Sequence, residues 1–422
     1  MSKKTLAALA ASVAMVAATA AGAAEFSFMS FTLAEESNRP DVEKLLTEFK
    51  AAKGVDAKVY PYAWGDVLKN VFLRQRSKTL PDVLQISERW LTTIAQMPEA
   101  VDLNTVFGKD KLEALIDPKV LAMGRTPDGK QLALPWVTGS FNMIANAEVL
   151  KQAGVDKVPV TLEEFRKALV AVRDKVPGAV PYPISTKNPA SIVQDYTLWA
   201  RAYNARVLDD NGKVLISSPE NKAALNALVD MMKERLIAPE IDRPDARRLF
   251  GQGKAAFYAD AVQARAHLRQ FSGRGAEFDS AIKPMSMPVL KAGDQSHSVE
   301  WGHTLVLFNV ADTKPTGPAA EWLAYVASEQ GQVDYTLRQG VLPVSKAARA
   351  NARVQADKYL ADWAAAEGAP VRNDVSAWPN AVDLTRILAE GVQAAILGQK
   401  TVDAVAAEMQ TQMDASMAKL KN

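Results

Sequence analysis

The stretch FSFMSFTLAEESNRPDVEKLLTEFKAAKGVDAKVYPYAWGDVLKNVFLRQRSKTLPDVLQI, residues 26–86, decides the fold. Phe26 to Phe31 form a short apolar and aromatic run, the pattern of a buried first strand. Pro40 suits the first turn of a helix, and Val42, Leu45, Leu46 and Phe49 recur at helical spacing until Gly54 stops them. Val55, Ala57 and Val59 alternate as a second strand. Val67, Leu68, Val71 and Phe72 mark a second helix, and Pro81 leads into a third strand through Val83, Leu84 and Ile86. Strand, helix, strand, helix, strand is the order of an α/β unit with a mostly parallel sheet, whose functional loops gather beyond the strand ends.

Outward from this unit the organisation changes. Leu134-Pro135-Trp136 follows the turn signal Pro127-Asp128-Gly129-Lys130 and marks a crossover. Phe141, Met143 and Ala145 alternate, Ala147–Ala153 reads as a short helix stopped by Gly154, and Thr161-Leu162-Glu163-Glu164 is a capping box. Ser218-Pro219-Glu220 starts another helix. Residues 253–259 read as a strand, followed by Asp260 and a helix from Ala261 to about Gln270. A further buried strand is expected from Thr304 to Val310, a helix from Pro318, and long helices at 347–366, 379–397 and 401–420. Met409, Met413 and Met417 form a core stripe at spacing four.

The chain has 422 residues, more than one hydrophobic core usually serves, so two lobes are expected. Residues 1–24 open with Lys3 and Lys4, continue through an alanine-rich apolar run, and place Gly22 and Ala24 where a signal peptidase would cut. They are read as an export signal, which implies a periplasmic protein. There is no cysteine, which excludes a lipid anchor at the cleavage point, a thiolate nucleophile and any disulfide. The 50 basic and 48 acidic residues balance once Lys3 and Lys4 are removed, and no block of like charge suggests a nucleic-acid or lipid surface.

Enzyme signatures are sparse. There is no phosphate loop ending in Gly-Lys-Ser/Thr, no Gly-x-Ser-x-Gly elbow and no His-Glu-x-x-His helix. His297, Glu300 and His303 cluster in sequence, but Trp301 and the strand pattern account for a packed junction there, so neither a metal nor a cofactor is expected. Trp64, Trp90, Trp136, Trp199, Trp301 and Trp378 fall at or near element ends, where indole rings can stack on sugar faces; Trp322 and Trp363 are assigned to packing.

The order of segments resembles the extracellular solute-binding proteins of ABC importers, the large family that includes maltose and glycerol-phosphate binders. The residues that carry the resemblance are Leu134–Leu150, Gly253–Phe257, Met287-Pro288-Val289, Glu300-Trp301-Gly302, Pro318–Gln330 and Gly340–Val344. It implies a bilobal α/β periplasmic-binding-protein fold with two discontinuous lobes joined by crossover hinges: residues 25–136 and 302–350 in lobe 1, and residues 137–301 and 351–422 in lobe 2. It also implies a monomer without enzymatic activity that closes on a carbohydrate and delivers it to a membrane permease. A glycerol phosphodiester or sugar acid is the second reading of the solute, and an exported glycoside hydrolase the third. The ligand residues it implies are Glu36, Trp64, Gln85, Glu88, Arg89, Trp90, Trp136, Ser140, Asp260, Trp301, Gly302, Arg338 and Trp378. Asp82 is expected to position backbone.

Overall fold

The computed structural model describes residues 24–308 and 317–420; the export-signal reading therefore lies outside the described residues, except for Ala24. Three parallel strands, β1 (Ala24–Ser30), β2 (Val55–Pro61) and β3 (Val83–Ser87), form the first sheet unit in the order β2-β1-β3. Successive residues of β1 point to opposite faces. Phe26 and Phe28 meet Phe49 and Trp322 on one side, while Met29 and Phe31 join Val67, Val71 and Ile86 on the other. Cover on both faces is why apolar residues occupy both parities of this run, while its two serines are satisfied by Asp82 and Gln85. Asp82 ties the unit together by accepting from Ser27 N and Ser27 Oγ, both at 2.7 Å.

The helix Arg39–Lys53 begins beside Pro40 and ends on Gly54, whose φ of +70° is the left-handed conformation that favours glycine. Thr161 and Glu164 close a reciprocal capping box at the start of Leu162–Lys175.

Two long strands carry the chain between lobes. β4 (Ala133–Asn146) and β7 (His297–Leu307) run antiparallel from Ala133 opposite Val306 to Phe141 opposite Val299, with a register shift between Pro135 and Val137. At one end β7 pairs with β3. At the other, β4 pairs with β5 (Phe257–Ala261) and β6 (Ile282–Met285). Two short strands, β8 (Leu342–Pro343) and β9 (Ala369–Val371), pair with β4 and β7. The result is a bilobal molecule with two discontinuous α/β lobes joined by crossover strands.

Three expectations need correction. Asp260 lies inside β5 rather than after a strand ending at 259, and the following helix starts at Ala264. The strand expected from Thr304 begins seven residues earlier, at His297. The helix expected at 347–366 is three short ones, Lys346–Ala350, Ala352–Gln355 and Lys358–Ala366, because Asn351 and Asp357 accept from downstream backbone N–H groups and restart the helix each time.

Candidate functional site: the cleft between the lobes

The loops after β1, β2 and β3 open on one side of the sheet, where open α/β folds place ligands. They present Phe31 and Glu35, then Trp64, then the turn Glu88–Trp90. The second lobe faces them with the start of the helix Pro189–Ala202, the helix Arg243–Gly251, the end of β5 and the segment Asn373–Pro379. Both helices have strong local reasons to start there. Asn188 caps the first through Ala190 N and Ser191 N, and Asp242 with Asp245 forms a capping box on the second.

Three adjoining cavities of about 290, 350 and 600 Å³ occupy this region, and Arg89 lines all three. The lobes also touch directly. Arg89 Nη1 donates to Gln194 Oε1 at 3.1 Å, Thr92 Oγ1 to Ser376 O at 3.1 Å and Gln96 Nε2 to Pro379 O at 3.1 Å.

The polar wall of the smallest cavity is built from paired charges. Arg247 grips Asp260 through two bonds of 2.8 and 3.1 Å, and Arg243 pairs with Asp195 while lying over the Phe141 ring. Burial alone would raise the Asp260 carboxyl, but Arg247 and Arg243 together hold it below the usual carboxylate range. Burial instead wins at Glu35 and Glu88 and pushes both carboxyls up, despite Arg247 near the first and Arg89 near the second. Glu88 Oε2 accepts from Ser87 Oγ at 2.8 Å and Gly302 N at 3.1 Å. The aromatic wall consists of Trp64 and Trp90, with centroids 4.8 Å apart, and Trp301 beside His303. Burial and the Arg89 charge bring the His303 ring down to about 3, so it is a neutral part of the wall at any ordinary pH.

Of the residues singled out in the sequence, Trp64, Glu88, Arg89, Trp90, Asp260 and Trp301 line the cavities. The others stand elsewhere. Glu36 is exposed and its neighbour Glu35 faces the cleft instead. Gln85 is buried beneath the site, where Oε1 accepts from Ser30 Oγ at 2.5 Å and Nε2 donates to Thr32 Oγ1 at 2.7 Å and bonds His303 Nδ1 at 3.0 Å; it shapes the first loop. Trp136 is fully buried in a stack on Tyr335, with centroids 4.9 Å apart and planes at 6°. Ser140 Oγ accepts from Trp363 Nε1 at 2.8 Å inside the core. Gly302 is packed so tightly that a Cβ would stand 2.8 Å from Val137 O, leaving its N–H to serve Glu88. Arg338 is held by Asp41 at 2.9 Å, and Trp378, half-buried, packs over Gly212. Trp199, too, is core, donating to Ala224 O at 2.9 Å.

The residues the sequence reading missed are Gln194, Asp195, Arg243 and Arg247. The Asp242-Arg243-Pro244-Asp245 start signal locates the second helix, and spacing four puts Arg243 and Arg247 on one face. Only the tertiary fold turns that face toward β5. Among the described residues no group of three or more His, Asp or Glu could hold a metal ion, and no helix is long and apolar enough to cross a membrane.

Comparison with known proteins agrees with this architecture. The sn-glycerol-3-phosphate-binding periplasmic protein UgpB of Brucella melitensis is 24% identical over 339 residues, 74% of this chain and 73% of its own. A "Probable ABC transporter-binding protein" of Deinococcus radiodurans is 24% identical over 183 residues, and the alignment spans only 43% of its length. An ABC transporter solute-binding protein from Thermotoga lettingae, solved with alpha-D-tagatose bound, superposes with a TM-score of 0.82 at 16% identity, covering 93% of this chain and all of that one. The family of bacterial extracellular solute-binding proteins matches residues 44–362, most of the chain. With its bilobal fold and interlobe cleft, the chain therefore belongs to that family of binding proteins, which are not enzymes.

Proposed function

We propose that the chain is the periplasmic, monomeric solute-binding component of an ABC importer, which closes its two lobes on a neutral carbohydrate and delivers it to a membrane permease. In this reading residues 25–136 and 302–350 form one lobe, and 137–301 and 351–422 the other. The observation that carries the solute class is the pairing of charge in the cleft. Arg247 is matched by Asp260, Arg243 by Asp195 and Arg89 by Glu88, so the wall offers many directed donors and acceptors but little uncompensated charge. Hydroxyl groups can both donate to the carboxylates and accept from the guanidinium groups. Trp64, Trp90 and Trp301 supply apolar faces suited to a sugar ring.

A glycerol phosphodiester or sugar acid is the second reading; the Brucella relative is named for another anionic polyol, sn-glycerol-3-phosphate, and the Arg89 guanidinium, destabilised by burial and by Arg243, would gain from an anion. Native mass spectrometry of gently purified protein, followed by calorimetry across neutral sugars, sugar acids and glycerol phosphates, separates the two. A neutral sugar should bind best. Tighter binding of an anion, or no binding by any sugar to folded protein, overturns the carbohydrate reading.

A further inference from the structure

His267 belongs to the helix Ala264–Ser272, which packs on Arg243–Gly251 in the second lobe. Its ring nevertheless bonds to the loop after β1 in the first. Nδ1 lies 2.5 Å from Ser37 Oγ and Nε2 lies 3.3 Å from Asn38 Nδ2. The side chain is buried, and it lines none of the three cavities.

The donors and acceptors define one protonation state. Asn38 Nδ2 also donates to Glu35 Oε2 at 2.7 Å, which sets the amide with its NH2 toward the ring. Nε2 must then accept, so Nδ1 carries the proton and donates to Ser37 Oγ. Adding a proton at Nε2 would place an N–H against an N–H and remove one of the two bonds across the lobes.

The other charges around the ring do not offer it an open acceptor, and the unpartnered Asn38 Oδ1 can turn toward it only if the amide gives up its bond to Glu35. From Arg243–Gly251, Arg247 repels a charged ring, and from β5 Asp260 attracts it but is already gripped by Arg247. From the loop, Glu35 is occupied by Asn38. On its own helix Arg265 is tied to Asp357 and to Leu337 O, and on the neighbouring helix Glu329–Gln339 Arg338 is tied to Asp41. Burial between the lobes, reinforced by Arg247, holds the ring well below the ordinary imidazole value.

We infer that His267 is a positioning residue, an interlobe latch that favours the closed molecule through Ser37 and Asn38 and lets go when its ring takes up a proton. The inference rests on the bilobal architecture and not on which solute the cleft accepts. Opening exposes the ring to water, where its pKa returns to about 6.5. The closed state resists protonation and the open state does not, so the latch is fully present above that value and is lost as pH falls through it. Between pH 8 and pH 5.5 the closed-to-open ratio should drop about ten-fold.

The chain has no cysteine, so Lys53→Cys and Lys151→Cys give two unique spin-label sites on exposed positions of opposite lobes. Double electron–electron resonance needs no ligand. Longer interlobe distances should gain population at pH 5.5 in the labelled parent, whereas His267→Gln should give one distribution at both pH values. Ser37→Ala, which leaves the ring's own packing intact, should favour the longer distances already at pH 8. An unchanged parent distribution between the two pH values, or an equal shift in His267→Gln, would overturn the latch. Since no solute enters the measurement, its failure leaves the carbohydrate reading untouched, and the calorimetric panel tests that separately.

Discussion

Replacing Asp260 by Asn keeps the shape of the side chain and removes only its charge, which isolates the electrostatic role of the Arg247–Asp260 pair. The Arg247 side chain is 10% exposed and that of Asp260 3%, so water cannot compensate the guanidinium left behind. Breaking one partner of so buried a pair typically costs about 3–5 kcal/mol. For a lobe of about 200 residues that corresponds to a drop in Tm of about 6–20 °C, followed by circular dichroism or calorimetry. The loss should also depend on pH. Because the folded-state Asp260 carboxyl lies below its unfolded value, its contribution is complete above the unfolded pKa and disappears as pH falls through the folded one. Parent and Asp260→Asn should therefore converge in strong acid. The double variant Asp260→Leu with Arg247→Met should recover most of the loss, since a pair removed whole leaves no orphan charge. A single substitution within about 1 kcal/mol of the parent at pH 7, or a double variant as unstable as the sum of its singles, would refute the reasoning.

Other outcomes follow from the same geometry. Glu35→Gln removes a carboxyl that burial raises, so it should increase stability near pH 8, where the parent must ionise Glu35, and change little at pH 4; thermal melts at the two pH values check the sign. Gly139 sits in β4 where a Cβ would come within 2.4 Å of Val262 Cγ1, a fully buried group, so Gly139→Ala should lose about 1–3 kcal/mol in urea unfolding, with Val262→Ala restoring part of it. Trp136→Ala should cost about 3–5 kcal/mol by emptying the stack on Tyr335. Trp64→Ala should weaken solute binding in calorimetry, while Trp378→Ala should spare affinity and lower Tm; the reverse pattern would put the cleft in the wrong place.

The fold was legible where a local period or cap determines it. The alternation of β2, the helical spacing of Val42 to Phe49 and the Thr161 box all lie within a few residues of the features they specify. A single helix over 347–366 passes over Asn351 and Asp357, whose side chains can compete with the helix backbone and restart it. The site was half legible. Trp64, Glu88, Arg89 and Trp90 come from the family resemblance, which places ligand residues in the loops after β2 and β3, and those loops line the cavities. Tryptophans at element ends did not separate into cleft and core, because a large ring is as well placed for burial as for display there; Trp136 and Trp199 lie in the core and Trp378 packs half-buried against it. Arg243 meets Asp195 from far along the chain and Arg247 meets Asp260 across a helix-to-strand turn, and neither contact is encoded by a helical or strand period.

The paired β4 and β7 ladder has a mechanical consequence. The two strands run from one lobe into the other and the hydrogen bonds between them resist shear of one strand past the other, but such a ribbon yields more readily to twist and bend, most of all where the register slips between Pro135 and Val137. Relative motion of the lobes is thereby biased toward twisting and bending about that ribbon. In the proposed reading, a protein docking on the outside would sense that change between the lobes and not the cleft itself, so occupancy would reach it as a mechanical signal, open or shut, stripped of the chemical identity of the cargo.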